Sequence, residues 1–587
     1  MYSKIKSVQI LVALLKEYNV KDIVMSPGGS DIAIIHSIEN DDFFTCYSVV
    51  DERSAVYFAM GISQQKNVPV ACVCTSGTAV SNYLPGITEA YYQDVPIIAI
   101  TADKDPYRLN QLMLQKIDQN NIFGSVTKKS VDLPVVKNST DSWYCQRLIN
   151  EALMELNHHG KGPVHINIPI TENGAVYDCE ALPPVKKINL ITPNQGDDVW
   201  RAYIPKLASA KKILVIVGQN ITFTYEDIKT IEAFSAKYNC VFSVEHMSNL
   251  KCKGCIHTYR LTELSNPGIF PELIPDLVIS LGNNIASYKL KPIIKENISA
   301  YVHWQIDESG RIRDFSDRLT DLFECSPQCF FEYFVKNAPS NNCNDMVYYN
   351  LWKQKLDCIE YPDFEFSNFY VAKNVASIIP KNSLLHLAIL NSTRTMQYFD
   401  LDPTIKTYSN IGALGIDGCM STFMGQAAAA PERLAFLVIG DLSFFYDMNA
   451  AGMRSVGSNV RIILVNNTGG SEFHFFMGKD KIPTINDYIC AEHHKKAQGW
   501  IESLGYAYHS ASNKDELDRV LPSFAQKSDR PMFLEVFTDM EKDAKLTNAF
   551  FHDNRIKFGG FKARMIDKAK SVLNPAQIEK AKKILKK

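Results

Sequence analysis

Charge of one sign is missing from this sequence. Its 62 lysines and arginines stand against 64 aspartates and glutamates, a formal net charge of −2. Neither the broad basic surface of a nucleic-acid binder nor the acidic excess of a disordered chain is therefore present. Long hydrophobic runs are also missing at the start of the chain. VQILVALL, Val8 to Leu15, is short, is followed by Lys16 and Glu17, and has no small-residue cleavage site. It reads as an amphipathic core helix, and neither a signal peptide nor a membrane anchor is expected. Cysteine occurs 14 times but never at the spacing of a disulfide framework. In a chain this large that pattern fits reduced thiols and a cytoplasmic location. What remains is a globular protein suited to small-molecule chemistry, with no nucleic acid and no membrane among its expected partners.

A chain of 587 residues exceeds what one hydrophobic core supports, so about three domains of roughly 150 to 200 residues are expected. Buried parallel strands read as short β-branched runs that end in Gly, Asp, Asn or Thr, alternating with helical patterns. VKDIVMSPGG, VPVACVCTSG, VPIIAITAD and GPVHINIPI form a first group within residues 1–180. KKILVIVGQN, CVFSVEH, PDLVISLGNN and AYVHWQID form a second within 199–340, after a proline-containing linker. SLLHLAIL, LAFLVIGD, RIILVNN and PMFLEVFTD form a third within 360–545, and a basic tail, 546–587, closes the chain. The fold class implied is α/β, three doubly wound parallel-sheet domains.

The chemistry concentrates in GDLSFFYDMNAAGMRSVGSNVRIILVNNTGG, Gly440 to Gly470. Asp441 ends one apolar run, and Asn466 and Asn467 end the next. Ligands of open α/β sheets gather at the carboxyl ends of strands, so both groups can face one crevice. An acid, an amide carbonyl and a backbone carbonyl are hard oxygen ligands of the kind magnesium takes together with phosphate oxygens, and Gly469 and Gly470 let backbone approach a ligand closely. Alone, an acid that caps a helix and asparagines in a turn are ordinary features.

The residues match a larger pattern. Gly-Asp, 24 residues, then Asn-Asn resembles the signature of thiamine diphosphate enzymes. The wording is similar to one branch, the 2-succinyl-5-enolpyruvyl-6-hydroxy-3-cyclohexene-1-carboxylate synthases of menaquinone biosynthesis. SPGGS, VDERSAVYFAMGIS, TSGTAVSNYLPGITEA, ITADKDP and SNIGALGIDGCMST follow in that family's order, covering the first and third domains, while the middle domain resembles it weakly. The resemblance implies pyrimidine-binding, middle and diphosphate-binding domains, with thiamine diphosphate and Mg²⁺ as cofactors. Asp441, Asn467 and the Gly469 carbonyl would hold the metal. Gly440, Leu442, Ser443 and Gly470 would line the diphosphate, Thr75, Ser76 and Gly77 the pyrimidine, and Ile416 would be the apolar wedge beneath the cofactor. Glu52 takes the place of the activating glutamate, and Gln115 that of a glutamine beside the reacting centre. Glu52 and Asp441 lie in different domains, which in this family come from different subunits, so a homodimer or homotetramer is implied. The implied reaction is loss of CO₂ from a 2-oxo acid and transfer of the remaining acyl unit to an acceptor.

Arginine is scarce where the family uses it to grip carboxylates in two-pronged fashion. Ser30, Lys104 and Ile411 occupy three such places. NSTRTM keeps Ser392 but puts Met396 at the arginine position, with Arg394 two residues early, and Lys289 matches a fifth place less securely. The expectation drawn is retained cofactor chemistry with a changed donor and acceptor; the alternatives are the genuine synthase reaction, or a simple decarboxylase or acetolactate-type synthase. CKGCIH, Cys252 to His257, lacks a second ligand pair and reads as a reduced loop rather than a zinc site. Glu472 and His474 follow the metal motif, where the family carries an apolar residue in place of Glu472, and either shape the substrate pocket or lie at the surface.

Overall fold

The computed structural model describes residues 1–170, 176–188, 197–219, 222–264, 270–297, 301–475, 477–479 and 481–558. They contain three six-stranded sheets. The first comprises β1 (Asp22–Met25), β2 (Thr45–Ser48), β3 (Val70–Cys74), β4 (Ile97–Asp103), β5 (Lys129–Asp132) and β6 (Val164–Pro169), in the order β2-β1-β3-β4-β6-β5. The second comprises β7 (Ile213–Val217), β8 (Cys240–Ser243), β9 (Cys255–Ile256), β10 (Leu277–Leu281), β11 (Val302–Ile306) and β12 (Leu319–Phe323), in the order β12-β11-β10-β7-β8-β9. In the third, β13 (Leu384–Leu387), β14 (Lys406–Tyr408), β15 (Ala435–Gly440), β16 (Val460–Asn466), β17 (Ala507–Ala511) and β18 (Met532–Phe537) are ordered β14-β13-β15-β16-β18-β17. Every pairing within the sheets is parallel.

The first and third sheets thus share one topology, while the middle sheet has the dinucleotide-fold order read from its other edge. β3, β4 and β7 are buried at every position, as strands covered by helices on both faces must be. The edge strand β2 is mostly exposed, with the polar sequence TCYS.

Two helices fasten the first domain to the third. Glu52–Lys66 begins at Asp51, whose side chain caps the helix by accepting the Ser54 N–H at 3.2 Å. It packs along Cys419–Ala428 so closely that a Cβ at Gly61 would strike the Thr422 carbonyl oxygen, and one at Gly425 the Phe58 carbonyl oxygen. Glycine is the residue that permits such an approach. Beside this crossing, fully buried Asp447 accepts hydrogen bonds from the Ser421 hydroxyl at 2.7 Å and the Ser54 hydroxyl at 3.3 Å, and Arg53 lies 3.5 Å away. A single hydrophobic core consequently runs from Val56 and Phe58 through Met420 and Phe423 to Phe436 and Phe533.

Residue 546, where the sequence places the start of a basic tail, lies inside the helix Met540–Phe558. Its Phe550 is buried among Phe364, Phe369 and Tyr398. The rest of the tail lies outside the described residues. None of the described helices is long and apolar enough to cross a membrane.

Candidate active site

β15 and β16 are neighbours, with Gly440 paired to Val465, so Asp441 and Asn467 emerge side by side at their carboxyl ends. Asp441 is 2% exposed. Its Oδ1 accepts the Leu442 N–H at 2.7 Å and its Oδ2 the Gly469 N–H at 3.0 Å. Burial pushes its carboxyl up to about 7, against the lowering influence of those backbone N–H groups. The nearest cationic candidate is His493, whose Nε2 stands 3.5 Å from Oδ2 without forming a hydrogen bond. Asn467 donates its amide N–H to Asp543 at 3.3 Å, which leaves the amide oxygen as the atom that could serve as a ligand. Thr468 is left-handed at φ 72°, a rare state for a β-branched residue. A Cβ on Gly469 would lie 2.8 Å from the Cys490 carbonyl oxygen, and one on Gly470 3.1 Å from the Phe473 ring.

These groups border a cavity of about 240 Å³. Gly440, Leu442, Ser443, Ser392 and Ile416 also line it, and the Ser443 hydroxyl is tied to the Ile416 carbonyl at 2.8 Å. A desolvated carboxylate short of positive charge, an amide oxygen and a glycine-bounded peptide form a donor set that fits Mg²⁺ and a phosphate-bearing cofactor. Asn466 does not join them. Its amide N–H groups donate to Glu535 at 2.8 Å and to the Lys495 carbonyl at 3.0 Å, so of the asparagine pair only Asn467 faces the cavity.

A second cluster sits at the carboxyl ends of β1 and β3. Ser30 N–H donates to the Thr75 hydroxyl at 3.1 Å, the Ser30 and Ser76 hydroxyls lie 3.2 Å apart, and Gly77 N–H donates to Gln119 at 3.2 Å. Gly77 is left-handed at φ 81°, and Gln115 packs against it, within 3.4 Å of where a Cβ would stand. Glu52, in the first turn of its capped helix, is half-buried. Close by is an acid that sequence reading missed. Asp31 is fully buried, accepts the Gly28 N–H at 2.9 Å through Oδ1, and has no partner for Oδ2. Burial drives its carboxyl up to about 7, and Glu52 adds to the rise. Nothing in SPGGSD marks that aspartate as buried. Gln119, His493 and Asp543 were missed likewise, because their partners are remote in sequence. Among the described residues, none numbered below 368 lines the cavity around Asp441, so one chain does not bring Glu52 and the third-domain site into a common pocket.

The residues at the family's arginine places disperse. Lys104 donates its ammonium to the Leu114 carbonyl at 2.7 Å, and Lys289 donates to the Glu263 carbonyl at 2.7 Å. Ile411 is buried, with its carbonyl accepting from Asn284 at 2.9 Å, and Met396 is wholly in the core. Arg394 pairs with a cavity residue, Glu472, at 2.7 Å, above the Tyr288 ring. In CKGCIH the two sulfurs are 3.1 Å apart, and His257 turns toward His246, ring centroids 4.9 Å apart.

Comparison with known proteins agrees with this geometry. The model of the thiamine pyrophosphate enzyme N-terminal TPP binding domain matches residues 5–122. The 2-succinyl-5-enolpyruvyl-6-hydroxy-3-cyclohexene-1-carboxylate synthase of Phocaeicola vulgatus is 38% identical over 564 residues, 94% of this chain and 99% of that protein. The enzymes of the same name from Bacteroides fragilis and Bacteroides thetaiotaomicron are 38% identical over 562 residues and 36% over 570, covering 94% and 95% of this chain and 99% and 100% of theirs. These alignments run through the middle domain, where the motifs alone show little likeness. They also favour the synthase reading over the changed donor and acceptor drawn from the scarce arginines. Arg394, two residues before the expected place, is bonded to Glu472, which lines the Asp441 cavity. With cofactor-type geometry at the ends of β15 and β16 and this likeness over nearly its whole length, the chain belongs to the thiamine pyrophosphate enzyme family, in the branch of the 2-succinyl-5-enolpyruvyl-6-hydroxy-3-cyclohexene-1-carboxylate synthases.

Proposed function

We propose that this protein is a Mg²⁺-dependent 2-succinyl-5-enolpyruvyl-6-hydroxy-3-cyclohexene-1-carboxylate synthase that decarboxylates 2-oxoglutarate and joins the remaining four-carbon unit to isochorismate. The observation that carries this reading is the buried, cation-poor Asp441 beside Asn467 and Gly469, in a chain colinear with synthases over 94% of its length. Asp441, Asn467 and the Gly469 carbonyl would hold Mg²⁺, and Gly440, Leu442, Ser443 and Gly470 would bound the diphosphate. Thiamine diphosphate bound there supplies the electron sink that a 2-oxo acid needs to lose CO₂.

The chain's own residues do the rest. Glu52 holds a proton at the cofactor's pyrimidine nitrogen, the task of a carboxylic acid in a dry pocket. Thr75, Ser76 and Gly77 shape the wall around that ring. Ile416, which lines the cavity, would present an apolar surface to the cofactor, and Gln115 would lie beside the reacting centre. None of the described residues in 1–180 lines the Asp441 cavity of its own chain, which supports a homodimer, or a pair of homodimers, whose sites join the first domain of one copy to the third of another. The 14 cysteines, all free thiols, suit a reducing cytoplasm.

The test is turnover with thiamine diphosphate and Mg²⁺, measuring CO₂ release and isochorismate loss together. Equal consumption of 2-oxoglutarate and isochorismate is expected. CO₂ from pyruvate with isochorismate untouched would refute the assignment in favour of a simple decarboxylase.

A further inference from the structure

An acid is an odd neighbour for substrates that carry several carboxylates. Glu472 lines the same cavity as Asp441 and Asn467, on the short turn Ser471–Phe475 that follows the two glycines. Its Oε1 lies 2.7 Å from Arg394 Nη1, and both side chains are largely buried, 16% and 17% exposed. Its Oε2 is buried with no hydrogen-bond partner. The pair is therefore single-pronged: half of the carboxylate is unused, and the guanidinium, with Tyr288 under one face at 4.6 Å, holds one oxygen where it can hold two. Among the described residues no second carboxylate faces Arg394.

A half-satisfied buried pair is a poor structural element, since desolvation offsets its attraction unless the remaining donors and acceptors are met. It is a good resting state for an arginine that must wait for an anion. Arg394 without any counter-ion would be a desolvated lone charge. With a fully engaged bidentate partner it would be closed to substrate. Glu472 sits on the short turn Ser471–Phe475, next to Phe473, which is 43% exposed.

We propose that Glu472 is a resident counter-ion occupying the carboxylate-binding place on Arg394, and that it yields this place to a substrate carboxylate. The inference rests on the synthase reading for the identity of the substrate, though not for the exchange itself. Removing the competitor strengthens substrate binding; removing the arginine abolishes the place. Substrate carboxylate gains two parallel N–H···O bonds where Glu472 makes one, so the exchange is favourable only for a well-aligned anion. Discrimination follows, since a neutral analogue cannot release the pair.

The experiment compares wild type, Glu472→Gln, Arg394→Met and the double variant as Mg²⁺ and thiamine diphosphate holoenzymes, with cofactor binding and thermal unfolding as folding controls. Glu472→Gln is expected to lower KM for one carboxylate substrate by about fivefold with kcat little changed, and Arg394→Met to raise the same KM by roughly a hundredfold. In the double variant the gain from Glu472→Gln should vanish, because no guanidinium remains to be freed. A raised KM in Glu472→Gln, or additive effects in the double variant, would overturn the proposal and make Glu472 a positioning residue for Arg394. If Arg394→Met does not fold, Arg394→Lys replaces it; a lysine offers a point charge rather than a fork. Should wild type fail to join 2-oxoglutarate to isochorismate, the synthase reading falls while the exchange is still decided by calorimetry with succinate. Tighter succinate binding in Glu472→Gln and none in Arg394→Met would support it, and equal affinity in all forms would sink it.

Discussion

The first and third domains are the same drawing executed twice, with opposite results at equivalent places. In the shared order, β3 corresponds to β15. β3 delivers Thr75, Ser76 and Gly77, small neutral groups knit to Ser30 and Gln119. β15 delivers Asp441, a desolvated acid, and its neighbour β16 delivers Asn467. Topology decides where a ligand can be met, at the carboxyl ends of central strands. The residue placed there decides what a ligand would find: small neutral groups along Thr75 to Gly77, a desolvated acid at Asp441.

The sharpest way to break that comparison is to strip the acid from one copy of the drawing. Asp441→Ala should lose Mg²⁺ and cofactor affinity and reduce kcat/KM by at least about a thousandfold; titration of cofactor into the variant would register the loss. Glu52→Gln should lower kcat by roughly a hundredfold or more while cofactor affinity stays near wild type. Unchanged turnover would remove Glu52 from its role.

Mixing the two inactive variants tests whether the drawings cooperate across subunits. If sites form between copies, random pairing restores about a quarter of wild-type turnover, because only mixed dimers contain one intact site. Sites confined within one chain would restore nothing. Smaller effects probe the fastening between the domains. Gly425→Ala forces a Cβ onto the Phe58 carbonyl and should cost about 2 kcal/mol in denaturant unfolding. Asp51→Ala removes the cap of the Glu52 helix and should cost about 1 kcal/mol.

How much of this was legible beforehand divides along the sheets themselves. The twelve apolar runs picked out by pattern are the four inner strands of each sheet. The six strands that escaped, β2, β5, β9, β12, β14 and β17, are the outermost in every case. Inner strands are buried on both faces and show as continuous apolar runs. Edge strands face water on one side and carry polar residues such as those of TCYS, so no apolar run marks them. The same logic governs the candidate site. Asp441, Asn467, Gly469, Ser392 and Ile416 all border one cavity, because a strand end fixes their position locally. Lys104 and Lys289 were legible as cations but not as donors to the Leu114 and Glu263 carbonyls. A backbone carbonyl has no letter in the sequence. Asn466 turned to Glu535, 69 residues away, and only folding reveals such a partner.

The crossing of Gly61 and Gly425 reaches beyond geometry to how the molecule comes apart. One hydrophobic core threads both outer domains and takes in Met247, Tyr259, Leu264 and Ala286 of the middle one, whereas a second cluster belongs to the first domain alone and two more lie mainly in the middle one. Heat or denaturant should therefore melt the two outer domains in one cooperative step. A chain recovering from stress would then regain the Glu52 helix and the strand end that carries Asp441 together, since both are built on that shared core.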